Sequence, residues 1–171
     1  GVTGRKSAYK PFNLILQIVG EDETGNTTYE VAPSGIILKP DVPFHVVARV
    51  SCSDGTVAFT TTDLSQPGGA PLRATAKHSI AGKLGAGLAT PVIGGIFRRS
   101  AHQFDGRIEA VRIMAGVQPD EILSADPARW NAHATVTWDA RRPDGPGFEW
   151  AGGASSAMAP RAVDLIGSLL R

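Results

Sequence analysis

Short β-branched and aromatic runs, broken by Gly, Pro, Asp and Asn, recur along most of the chain. That rhythm is the mark of β-strands joined by tight turns. FNLILQIV, from Phe12 to Val19, runs into the polar stretch GEDETGN and then into TTYEVA, from Thr27 to Ala32. This pattern predicts a hairpin with Gly25 and Asn26 near its tip. GIILK follows Pro33 and Ser34. PFHVVARV then sets Phe44, Val46, Ala48 and Val50 against His45, Val47 and Arg49, the alternation of a strand. The turn Ser53-Asp54-Gly55 joins it to TVAFTTT, which predicts a second hairpin. Asp63 to Gly69 reads as a loop and PLRATA as a strand. The Gly-rich GKLGAGLATPVIGG offers only a short strand near Val92 and Ile93.

FDGRIEAVRIM, from Phe104 to Met114, departs from clean alternation. A regular strand would put Glu109, Val111 and Ile113 on one face and Ile108, Ala110, Arg112 and Met114 on the other. Each face then carries a charge. Such a strand suits the interior of a two-layer structure, where each face meets other side chains and every charge needs a partner. Glu109 and Arg112 fall on opposite faces and are not expected to pair with each other, and a bulge near Asp105 and Gly106 would reset the phase. Beyond it, VQPDEIL predicts a brief helical turn, with Pro119 at its first position and Asp120 and Glu121 at its positive end. ATVTW predicts a last strand and RRPDGPG a loop. From Pro160, the spacing of Ala162, Val163, Leu165, Ile166, Leu169 and Leu170 predicts a helix. The expected organisation is a β domain over 1–140, a linker over 141–159 and the start of a helical domain from 160.

With 171 residues, 42% of them hydrophobic and 19% charged, one domain with a sizeable core is expected. The formal net charge is +1 and like charges form no block, so no electrostatic footprint for nucleic acid stands out. No apolar run approaches the length of a membrane span, and membrane insertion is not expected. Cys52 is the single cysteine, which rules out an internal disulfide and a multi-cysteine zinc site. The opening residue is Gly1 rather than methionine. The expectation is a piece of a longer polypeptide whose export signal would lie upstream.

The order PFHVVARV, DGTVAFTTTDL, FDGRIEAVRIMAGVQPDEIL resembles the laminin G-like branch of the concanavalin A-like lectin/glucanase superfamily. Phe104, Gly106, Ile108, Val111, Arg112 and Ile113 match that family's closing F-x-G-x-I-D-x-V-R-I strand, with Glu109 in place of the usual Asp. The resemblance spans roughly Pro11 to Trp138. It implies an all-β, two-sheet antiparallel jelly-roll-like sandwich, here without the family's first strands and with a short C-terminal helix appended. DLSQPGGAPLRATAKHSI, VTWDARRPDGPGFEWAGG and PRAVDLIGSLLR are also similar to large exported planctomycete-type bacterial proteins that embed such a module. The implied location is extracellular, periplasmic or at the cell surface. Laminin G-like modules serve sugar binding, protein binding and plain spacing, so the resemblance alone does not choose among these.

The sequence carries no G-x-S-x-G, H-E-x-x-H or Walker A pattern and no C-x-x-C-H for haem, and no cofactor is expected. A glucanase on this fold would need two convergent carboxylates. The acidic cluster Glu21-Asp22-Glu23 lacks the family's E-x-D-x-x-E spacing and falls where a hairpin turn belongs, so catalysis is not expected. Asp105, Glu109, Asp120 and Glu121 are neighbours that calcium could use, but helix-end and bulge roles explain them more simply. His45, His78, His102 and His133 show no ligand spacing, and no metal is expected. Sugar sites combine an aromatic face with planar polar groups. Trp130, Trp138 and Trp150 are the indoles; Trp138 ends a strand and suits the core, which leaves Trp150. Arg98, Arg99 and His102 supply donors in one loop. The expected function is a non-catalytic module that binds a glycan or another protein domain through Arg98, Arg99, His102 and Trp150, and the competing expectation is a spacer that binds no sugar. The sequon Asn26-Thr27-Thr28 would be idle in a bacterium.

Overall fold

A computed structural model describes residues 1–85, 104, 106–116, 118, 130, 134 and 136–140, together with the strand backbones of 147–150 and 162–170. The strands are β1 (Asn13–Glu21), β2 (Thr27–Ile37), β3 (Phe44–Ser51), β4 (Thr56–Asp63), β5 (Leu72–Lys77), β6 (Arg107–Ala115), β7 (Val136–Asp139), β8 (Gly147–Trp150) and β9 (Ala162–Leu170). None of the described elements is a helix. β1 and β2 form a two-stranded sheet, and the others form a seven-stranded sheet in the order β5-β4-β3-β9-β6-β7-β8, antiparallel throughout.

The β1–β2 hairpin closes as its turn residues dictate. The Asp22 carboxylate accepts from the Thr24 amide at 2.9 Å, the Thr24 hydroxyl at 2.7 Å and the Asn26 amide at 3.0 Å. Gly25 takes φ of 81°, a left-handed conformation that costs glycine little. The Thr24 hydroxyl, followed by these backbone bonds, holds the Asp22 carboxyl below its ordinary value. At the open end, buried Asn13 accepts the Gly35 amide at 3.0 Å and donates to the Tyr9 carbonyl at 2.7 Å. This lets β2 run on through an irregularity between Pro33 and Ile37, where the sequence pattern suggested a break.

The alternation in β3 separates two environments. Phe44, Val46, Ala48 and Val50 join Val57 and Phe59 of β4 and meet Leu14, Ile18, Ala32, Ile36 and Leu38 from the hairpin and the residue after it. The two sheets therefore share one core, with Cys52 buried at its margin. On the other face Val47 packs with Met114 and Trp130, and the His45 ring stacks on Trp130 at 4.7 Å and 17°. β3 is covered on both faces, which is why polar His45 and Arg49 sit among its apolar residues. The Arg49 guanidinium donates to the Gln118 carbonyl at 2.7 Å.

β6 lies between β9 and β7, an interior position. Its register with β9 steps from Ile108 opposite Leu169 to Ala110 opposite Ser168, so the extra residue is Glu109, downstream of the Asp105-Gly106 position where a bulge was expected. Ala110, Arg112 and Met114 are buried. Arg112, only 2% exposed, donates to the Trp138 carbonyl at 2.6 Å and the Val111 carbonyl at 3.0 Å, and stands 3.6 Å from the Asp139 carboxylate. Glu109 pairs instead with Arg107 at 3.5 Å. The charges in the interior strand thus have partners, and Glu109 and Arg112 do not serve one another.

One expected element is corrected. Ala162–Leu170, read as a helix, is strand β9, paired with β3 on one side and β6 on the other. A central strand can be apolar on both faces, and in so short a run that erases the alternation separating strand from helix. Gly147–Trp150, inside the segment read as a linker, is β8. The short strand expected at Val92 and Ile93 and the helical turn expected at VQPDEIL lie outside the described residues, Gln118 apart.

Candidate functional site

Alternation on the hairpin turns Leu14, Leu16 and Ile18 toward the core and leaves Gln17, Val19 and Glu21 on the opposite, outer face. Val19 pairs with Tyr29 and Glu21 with Thr27 across the ribbon. The result is an outer face with two large apolar side chains in one row, Val19 at 46% and Tyr29 at 57% exposure. Gln17, opposite Val31, lies in the row before it, and exposed Glu21 and Thr27 form the row after it.

A third stretch of chain widens this face. The Gly85 amide donates to the Val19 carbonyl at 2.7 Å and the Glu21 amide to the Lys83 carbonyl at 3.0 Å, around a bridge between Gly20 and Leu84. Lys83 therefore joins the row of Glu21 and Thr27, while Gly85 adds no side chain beside Val19 and Tyr29. Close approach is built into the sequence at Gly20. A Cβ there would lie 2.5 Å from Ile80 Cγ2 and 2.7 Å from the Lys83 carbonyl oxygen. Segment 78–82 is also tied down by Glu30, whose carboxylate accepts from the Ser79 amide at 3.1 Å and from the Ser79 hydroxyl. Tyr29 thus stands on a three-segment surface, with Gln17, Glu21, Thr27 and Lys83 in the rows on either side of its pair with Val19. Chemically this is an apolar floor with hydrogen-bonding groups at its rim, and it holds no paired carboxylates across a cleft.

Arg98, Arg99 and His102 lie outside the described residues, and of Trp150 only the backbone is described, paired with Val136 in β8. Trp138 is half-buried on β7, and Trp130 is 1% exposed against His45. Among the described residues no group of three His, Cys, Asp or Glu side chains could hold a metal ion. His78 uses both ring nitrogens locally, accepting from the Ile80 amide at 3.2 Å and bonding the Thr56 carbonyl at 3.2 Å. At the open end of the hairpin a depression is lined, among the described residues, by Val2, Phe12, Leu38, Val42, Phe44 and Phe104, with Lys39 beside them. The Tyr29 surface was legible in principle, because the alternation in QIVGE and TTYEVA places Val19 and Tyr29 together once the hairpin register is known. A search confined to tryptophans passes over it.

No family model matches the chain, and neither a curated protein nor a solved structure matches it. No helix among the described residues is long and apolar enough to cross a membrane.

Proposed function

We propose that the chain is a non-catalytic recognition module with a laminin G-like, jelly-roll-like sandwich fold, which holds a glycan on the outer face of the β1–β2 hairpin within an exported multidomain protein. The observation that carries this reading is Tyr29, more than half exposed beside Val19 on a surface backed by the 80–85 segment and rimmed by Gln17, Glu21 and Lys83. Aromatic faces stack on the apolar face of a sugar ring while planar polar groups at the rim take its hydroxyls. The two-sheet core and the closing strand FDGRIEAVRIM support the fold part of the reading. Asp22, between Glu21 and Glu23, is engaged in holding the turn, which supports a binding rather than a hydrolytic role. A glycan array followed by calorimetry on any ligand found tests the proposal. Tyr29→Ala should weaken binding by about tenfold or more, and Tyr29→Phe should retain most of it. A blank array, or binding that Tyr29→Ala leaves intact, overturns the assignment, and a blank array together with capture of flanking domains favours the spacer.

A further inference from the structure

His78 follows the last residue of β5 and is buried, and its ring is held at both nitrogens by backbone groups that can each play only one role. The Ile80 amide can only donate, so Nδ1, 3.2 Å away, accepts. The Thr56 carbonyl can only accept, so Nε2, 3.2 Å away, carries the hydrogen. The two bonds fix one neutral tautomer. The His78 amide donates to the Gly55 carbonyl at 3.0 Å, which ties the residue to the β3–β4 turn. What the ring restrains is the segment that follows it. Ile80 is fully buried against Gly20, the Ala81 and Gly82 amides donate to the Glu21 carbonyl at 3.1 and 2.9 Å, and the Gly85 amide reaches the Val19 carbonyl. A second proton on the ring has one place to go, Nδ1, where it would point at the Ile80 amide hydrogen. An acceptor would become a donor facing a donor, and a positive charge would be buried. Neither ring nitrogen bonds a carboxylate that could offset this. Of the charged groups on the surrounding elements, Asp54 of the β3–β4 turn accepts from the Ser51 hydroxyl at 2.6 Å and Glu30 of β2 accepts from Ser79. Lys77 of β5 is exposed, and Glu21 and Lys83 lie further along, where the segment pairs with β1.

We propose that His78 is an acid-sensitive latch, which when neutral fastens the 79–85 segment to β1 and when protonated at Nδ1 lets that segment open while the β3–β4 ladder stays closed. The latch concerns the segment's hold on β1 and stands whether or not Tyr29 holds a glycan. Amide hydrogen exchange of the full chain, followed by NMR from about pH 8 to about pH 5 and corrected for the intrinsic rate at each pH, tests it alongside the nitrogen signals of the His78 ring. Protection at Ile80, Ala81, Gly82 and Gly85 should fall by about tenfold across that range, the effect of losing one hydrogen bond, while protection across β3 and β4 is unchanged. The fall should share its midpoint with the titration of the ring, a comparison made in the parent chain and so independent of how any variant folds. His78→Asn keeps an oxygen that can accept the amide two residues on but takes up no proton, so its protection should show no such fall. Glu30→Gln should keep the fall, since the carboxylate on Ser79 is not its cause. Flat protection in the parent, a midpoint different from that of the ring, a fall that survives in His78→Asn or disappears in Glu30→Gln, or an equal loss throughout β3 and β4 would each overturn the proposal.

Discussion

Arg112→Ala should be among the most damaging single changes in the chain, although the residue is charged and lies in a strand. Its guanidinium is buried and supplies a donor to the Trp138 and Val111 carbonyls, besides facing Asp139. Truncation leaves those acceptors without this donor, at about 1–3 kcal/mol for a buried polar group deprived of its partner. Loss of the opposing charge adds less, because Asp139 is partly exposed and 3.6 Å away. About 3 kcal/mol in total is expected, at the lower end of what breaking a buried pair costs. With a urea slope of about 2 kcal/mol/M, that moves the unfolding midpoint down by about 1.5 M. Tryptophan emission is the natural probe, since Trp130 is buried near the same face. Asp139→Asn should cost no more than about 1 kcal/mol. Arg112→Lys should recover only part of the loss, since an ammonium lacks the fork that serves a carbonyl and a carboxylate together. A midpoint shift below about 0.5 M for Arg112→Ala would refute the reasoning, because it would mean that the buried acceptors find water or other donors at little cost.

Gly20→Ala should destabilise by about 1–3 kcal/mol, since neither buried Ile80 nor the Lys83 backbone can retreat, and hydrogen exchange should quicken at Glu21 and Gly85; unchanged exchange at both would count against the close approach. The Cys52 thiol, pushed up by burial, should resist a disulfide reagent in the native state and react only as the chain unfolds, so stoichiometric native labelling would contradict its place in the core. Asp22 has a folded pKa below its ordinary value of 3.8, so its contribution is fully present above that value and lost as pH falls through the lower folded pKa. Exchange at the Thr24 and Asn26 amides should accelerate on that acid limb in the parent chain, and Asp22→Ala should show the faster exchange at every pH.

The readable parts of the fold are those where one face is buried and one is wet. The first hairpin, β3, β4 and β5 all follow from alternation and turn residues, and the Asp22–Asn26 turn sits where Gly25 and Asn26 placed it. Legibility fails where both sides of a strand are covered or where pairing partners are distant in sequence. β9 joins strands more than forty residues away, and no local pattern encodes that insertion. The bulge at Glu109 is set by the register against β9, and the Trp138 carbonyl and Asp139 carboxylate that face Arg112 come from β7, so neither could be derived from FDGRIEAVRIM alone.

The same limit explains why the candidate surface escaped a reading of motifs. A catalytic or metal site announces itself by residue types whose chemistry is rare, whereas a stacking surface is built from an ordinary tyrosine whose meaning depends on what stands beside it. Tyr29 becomes informative through its pairing with Val19, and Val19 through Gly85, which lies far along the chain and leaves the neighbouring ground bare. The glycines at 20, 82 and 85 are therefore more than turn punctuation. Gly20 of β1 meets Ile80 and Lys83, and Gly82 and Gly85 meet Glu21 and Val19 of β1, at distances where an added Cβ would be crowded, and together they let the 80–85 segment lie flat against the strand whose outer side carries Val19. Substitutions that separate this segment from β1 should weaken any ligand held on Tyr29 without touching Tyr29 itself, which distinguishes a backed platform from a single exposed ring.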